Sequence, residues 1–155
     1  MNEAYLKLEQ LRRQKYIKKH GKEPSRYFDS EFKVKTPKTA AQLEALISEY
    51  IEIQGGICTK VTTSGRRLVS KHEVKDVTGK ERTLIEDKWI PGTTEPGTSD
   101  LIASVPGIKG AVYIEVKFSS SDKMRESQVK FQQKVISRGF TYIVIRSFEQ
   151  ILEVI

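Results

Sequence analysis

At 155 residues, 37% hydrophobic and 30% charged, the chain describes a soluble protein of one domain, long enough to bury a real core. No stretch approaches eighteen apolar residues and the N-terminus lacks an apolar leader run, so neither a membrane span nor a secretory signal is expected. A single cysteine, Cys58, excludes an internal disulfide, and His20 and His72 alone leave no zinc set, so a reducing cytoplasm is the expected compartment.

The formal charge of +7 is unevenly placed. Residues 1–38 hold eleven Lys and Arg against five Asp and Glu, whereas 39–155 hold sixteen against fifteen. A basic arm ahead of a near-neutral domain points to a polyanion, nucleic acid first and anionic membrane second; a solubilising tail is the alternative. Residues 3–20 lack Gly and Pro and predict a helix ending at Gly21, with Leu8 and Leu11 as a thin apolar stripe. Arg12, Arg13, Lys15, Lys18 and Lys19 crowd its last turns, where cations also complement the helix dipole. The basic stretch 21–38, with Pro24 and Pro37, is expected to be a linker. The chain thus divides into a basic N-terminal helix and linker, 1–38, and a domain, 39–155.

Thr39 and Gln42 have the capping-box spacing, opening a helix that should run to about Gln54 and stop at Gly55-Gly56. Leu43, Leu46, Ile47, Tyr50 and Ile51 form its apolar face. Glu44 lies at the border of that face, while Glu49 and Glu52 point away, so Glu44 is best placed to reach an adjoining sheet. Its alternative is a solvated acid on the helix flank. Three β-rich runs follow, 57–63, 68–77 and 82–90, punctuated by Ser64-Gly65 and Thr78-Gly79 and predicting a meander. His72 is expected on a strand surface and Trp89 in packing. Residues 91–97 form a loop delivering the chain to Asp100.

The organising stretch is Gly97-Thr98-Ser99-Asp100-Leu101-Ile102-Ala103, followed by Ile114-Glu115-Val116-Lys117. Both pieces are short apolar runs carrying an acid, and Pro106, Gly107 and Gly110 between them predict a hairpin. Strand alternation puts Glu115 and Lys117 on one face, which Asp100 can join from the partner strand. Two carboxylates and an ammonium on one patch of sheet make a site for a hard cation; a plain cross-strand salt bridge is the alternative.

Beyond Lys117, Ser119-Ser120-Ser121 leads into a predicted helix over 122–138, ended by Gly139, with Met124, Phe131 and Val135 on its apolar face. Gln128 interrupts that face. A buried amide without partners costs about 1–3 kcal/mol, so Gln128 either ends the core or faces a polar site. Residues 140–146 form an apolar strand, and Ser147 with Gln150 opens a short last helix.

The run G-T-S-D-L-I-A, then I-E-V-K, then Q-x-x-F and R-G-F-x-Y-I-V-I-R-S, resembles the VRR-NUC domain of the PD-(D/E)XK nuclease superfamily, in its small stand-alone bacterial and phage form. The resemblance covers roughly 39–150, and its specific part is 97–147. Where the family usually has proline before the aspartate, this chain has Ser99, which should alter the approach to the strand without removing a ligand.

The resemblance implies a mixed α/β, restriction-endonuclease-like core: helix, β-meander, helix and strand around a central mixed sheet flanked by helices. It implies that Asp100, Glu115 and the Val116 carbonyl hold Mg²⁺ or Mn²⁺, with Glu44, or Glu49 in its place, contributing to the metal site. Lys117 would orient the nucleophile or stabilise the transition state, and Gln128 would position water, Lys117 or phosphate. The implied activity is a metal-dependent DNA endonuclease selective for branched DNA such as Holliday junctions, acting as a homodimer in a bacterial or phage-infected cytoplasm. The cluster Arg12, Arg13, Lys15, Lys18 and Lys19 would track the DNA backbone. A sequence-specific restriction-type nuclease and a non-catalytic nucleic-acid-binding module are the competing readings.

Overall fold

The element order predicted from residue 39 is the order found, but the strands pair differently. The computed structural model describes residues 3–62, 65–75, 79–90, 92 and 95–155, with residue 66 described by its backbone alone. The expected turns at Ser64 and Thr78 and much of the 91–97 loop therefore lie wholly or partly outside the described residues.

Helix α1 spans Glu3–His20 and ends where Gly21 turns the chain at φ 68. Its stripe is not idle: Ala4 and Leu8 are buried in the same core cluster as the domain, with Leu11 packed against it. The expected linker holds a 3-10 turn, Arg26–Phe28, and a short helix α2, Asp29–Phe32. Helix α3, Ala40–Ile53, is capped by Thr39, whose hydroxyl accepts from the Gln42 amide. The Gln42 side chain accepts in turn from the Lys38 amide, one residue earlier than a capping box would have it.

Strand β1, Ile57–Lys60, was expected to open a meander with its successors. It pairs instead antiparallel with β4, Leu101–Ser104. The reason is packing. Cys58 sits opposite Ala103 and packs against the core, and Gly56 lies so close to the Ser104 carbonyl that a Cβ would stand 2.6 Å from it. Strands β2, Arg66–Lys75, and β3, Glu81–Ile90, pair with each other in a separate two-stranded sheet of ten rungs. Trp89, expected to pack, is 62% exposed on that ribbon, and His72 lies on its surface as expected.

The hairpin at the centre is as predicted: β4 pairs antiparallel with β5, Ala111–Val116, across turns where Gly107 and Gly110 take positive φ. Helix α4, Glu126–Ile136, starts later than expected, so Met124 lies ahead of it. The Arg146 guanidinium explains the delay, because it donates to the carbonyls of Ser119 and Asp122 and holds that stretch in a loop. After α4, β6, Thr141–Ile145, joins parallel to β5, and α5, Glu149–Val154, closes the described chain.

The central sheet is therefore mixed, in the order β1-β4-β5-β6. Leu101, Ala103, Val112, Ile114, Val116 and Ile145 turn one face toward α1, α3 and α5, burying Leu8, Ile47, Tyr50 and Phe148. On the other face, Tyr113 and Tyr142 meet Phe131 of α4 at ring-centroid distances of 5.8 and 6.4 Å. Among the described residues, no helix is long and apolar enough to cross a membrane.

Candidate active site

Glu115 stands near the end of β5 on the α4 face, between the core residues Ile114 and Val116. Leu101 is the register partner of Ile114, so Asp100, one residue before β4, arrives opposite Glu115. Asp100 is fixed there by its own carboxylate, which accepts from the Val116 amide at 2.8 Å. Immediately upstream of it, Ser99 is fully buried and donates to the Leu101 carbonyl at 3.0 Å, which turns the chain into β4 without a proline. Gly97 is demanded by proximity: at φ 87, a Cβ there would stand 2.2 Å from the Ser127 carbonyl of α4.

These positions enclose a cavity of about 280 Å³, lined by Glu44, Asp100, Glu115, Val116, Lys117 and Gln128 among others. Glu115 is 1% exposed and Lys117 5%. The Lys117 ammonium lies 3.0 Å from Glu115 Oε1 and 3.5 Å from Asp122 Oδ1. It donates to Gln128 Oε1 at 3.1 Å, and that oxygen also accepts from the Arg125 amide at 2.9 Å. The amide nitrogen of Gln128 donates to Glu115 Oε1, and the Tyr142 hydroxyl donates to Glu115 Oε2 at 3.4 Å. Gln128 thus faces the polar site rather than ending the core.

The charges explain one another. Burial pushes the Asp100 carboxyl up from its ordinary value, opposed by the Val116 N–H and reinforced by Glu44. Burial likewise pushes Glu115 up, against the pull of Lys117 and with the push of Asp100. Tyr142 is raised by burial and then by Glu115, so its hydroxyl remains a donor. Glu44 reaches the cavity from α3 and forms an ion pair with Lys60 of β1, which holds that ammonium in its charged form. The Oε2 of Glu44 is buried, and the Lys60 ammonium is its partner there, in an ion pair rather than a well-aligned hydrogen bond.

Glu49 is not brought here. It points to the other side of α3, where Arg12 grips it with two bonds of 2.7 Å. Of the basic cluster, Arg12 also binds the carbonyls of Phe32 and Lys33, and Arg13 pairs with Asp29. Lys15, Lys18 and Lys19 are exposed on α1. Sequence reasoning passed over three groups of the site: Lys60, Tyr142 and Asp122. Lys60 and Tyr142 are placed by strand pairing across the sheet, for which local sequence carried no signal.

The donor set fits a hard divalent ion: Glu44, Asp100 and Glu115 line one cavity, where Glu44 pushes Asp100 up and Asp100 pushes Glu115 up. Among the described residues, no three His, Cys, Asp and Glu side chains are gathered closely enough to hold a metal by themselves. Lys60 and Lys117 draw Glu44 and Glu115 toward themselves, so any ligand set here draws on backbone oxygen as well as carboxylates.

No protein-family model matches the chain, and no curated protein does. A solved structure described as "VRR_NUC domain" is similar to it at 18% identity and a TM-score of 0.48, covering 74% of this chain and 91% of that one.

Proposed function

We propose that this chain is a metal-dependent DNA endonuclease of the PD-(D/E)XK kind, a stand-alone VRR-NUC protein that hydrolyses phosphodiester bonds in branched DNA as a homodimer. The observation that carries the reading is the convergence of Asp100, Glu115, Lys117 and Gln128 on one cavity, with Glu44 at its rim.

Asp100, Glu115 and the Val116 carbonyl would hold Mg²⁺ or Mn²⁺, with Glu44 contributing directly or through water. An ion held there would supply a lowered pKa for a water and an offset to the charge on the phosphate. Lys117 aims its ammonium at the attacking oxygen or at the phosphate oxygens as their negative charge grows. Gln128 keeps Lys117 and Glu115 in place through one bond to each. Tyr142 fixes the second oxygen of Glu115 from the neighbouring strand.

The test is cleavage of end-labelled linear, flap, splayed-arm and four-way junction DNA in EDTA, Mg²⁺ and Mn²⁺, with Lys117→Ala alongside. Metal-dependent cutting that the variant loses supports the nuclease, and paired symmetric nicks on junctions support the branched-DNA homodimer. Cutting at one sequence only would favour a restriction-type enzyme. Equal inertness of both proteins, with equal DNA binding, would leave a non-catalytic binding module on this fold.

A further inference from the structure

A groove larger than the acidic cavity lies elsewhere on the described molecule. It measures about 600 Å³ and runs along the other side of α3's first turns, lined by Lys33, Lys35 and Lys38 with Ser30, Thr36 and Gln42. Glu31 is the single carboxylate in its lining, and Arg12, at its floor, is already neutralised by Glu49. The three lysines are exposed, and none is ion-paired among the described residues.

The segment bearing them looked like a linker in sequence, yet it is pinned along its length. Arg12 donates to the carbonyls of Phe32 at 3.2 Å and Lys33 at 3.0 Å. The Val34 amide donates to Glu9 Oε1 at 2.8 Å, and its side chain packs against the core. At the far end, the Lys38 amide donates to Gln42 Oε1 at 2.7 Å. With Val34 turned inward, Lys33 and Lys35 both face outward, about 7 Å of extended chain apart. That spacing suits successive phosphates on one nucleic-acid strand. Three unpaired cations on a backbone fixed in advance lose little freedom on binding, unlike the same charges on a loose tail.

The groove also has a direction. Thr39 caps α3 just beyond Lys38, so the positive end of a fourteen-residue helix dipole adds to the lysines. The same turns that give Gln42 and Ala45 to the groove give Ala40 and Glu44 to the acidic cavity.

We propose that Lys33, Lys35 and Lys38 form a phosphate-binding track that seats the backbone of a nucleic-acid strand and leads it past the start of α3 to the cavity at Asp100. This rests on the nuclease reading for its destination but not for its ligand. The track is separate from the lysines of α1 and reads no base, since its contacts are to phosphate.

The test is fluorescence anisotropy with labelled duplex and labelled single-stranded DNA in EDTA, where nothing is cut, over a salt gradient. The full chain is compared with Lys33→Ala/Lys35→Ala/Lys38→Ala, with the same three positions changed to Arg, and with the single exposed change Lys35→Glu. The alanine variant should bind at least tenfold more weakly at low salt, with the slope of log affinity on log salt shallower by about 2 to 3. The arginine variant should keep both, and Lys35→Glu should fall between while melting like the parent protein. Unchanged affinity and slope in the alanine variant would overturn the track, as would wild-type protein that ignores DNA or prefers phosphatidylserine vesicles. DNA binding through the lysines without cleavage would sink the nuclease and leave the track. Cleavage with unchanged affinity would do the reverse.

Discussion

Lys117 and Glu115 hold one another where little solvent reaches, and neither charge would be tolerable there alone. Lys117→Ala should therefore show two separate losses. Cleavage should fall below about one hundredth, through lost charge stabilisation at the phosphate. Stability should fall by about 2 kcal/mol at pH 8, less than for a fully enclosed pair because the cavity opens to water. The sign of its pH dependence follows from Glu115. Its carboxyl is already pushed up by burial, and losing the ammonium pushes it further. The folded variant then binds a proton that the unfolded chain does not, so the gap in melting temperature between wild type and variant should narrow as pH falls from 8 to 5. A gap that stays constant over that range would show that Glu115 does not carry the cost. Asp100, Glu115 and Lys117 were legible in the sequence because strand alternation is a local rule. The choice of Glu44 over Glu49 agreed with helical periodicity and is enforced by Arg12, a partner thirty-seven residues away.

At the scale of elements, the start of α4 is fastened to β5 through a single side chain. Gln128 satisfies the Arg125 amide at the helix N-terminus while bonding to Glu115 and Lys117. Half of a capping box is present, because Arg125 offers no acceptor in return. Gln128→Ala should therefore cost about 1 kcal/mol in a denaturant melt and lower cleavage roughly 10- to 100-fold. A fall in stability without a fall in cleavage would make the glutamine a cap and nothing more. The β4–β5 hairpin was legible because Pro106, Gly107 and Gly110 state their turn chemistry openly. The late start of α4 was hidden because its cause, Arg146, comes after the helix in the chain. The partner of β1 was hidden for a similar reason: periodicity marks a strand, but only the fit of Cys58 and Gly56 against β4 decides where it pairs.

Over the whole molecule, the arm inferred from charge is part of the body, since Ala4 and Leu8 complete the core under α3 and α5. Uneven charge located a basic surface and said nothing of how its helix packs. The acidic cavity should also register in bulk stability. Both Asp100 and Glu115 are raised in the folded state, so without metal the protein should gain stability as pH falls through their raised values toward 3.8 and 4.5. Mg²⁺ should do the opposite, stabilising most at high pH, by about 2.7 kcal/mol at a hundred times its Kd. Glu115→Gln should lose that gain, and an equal Mg²⁺-induced rise in melting temperature in both proteins would place the ion elsewhere. The β2–β3 ribbon stands apart from this economy of charge. Its ten rungs join only each other, and none of its described side chains belongs to the core cluster. A two-stranded sheet by itself is marginal in water. Its amides should then exchange with deuterium through local opening, in seconds to minutes, while those of β4, β5 and β6 wait for global unfolding. The ribbon should open and close again as a unit of its own, a fold within the fold whose order changes while the central sheet keeps its shape.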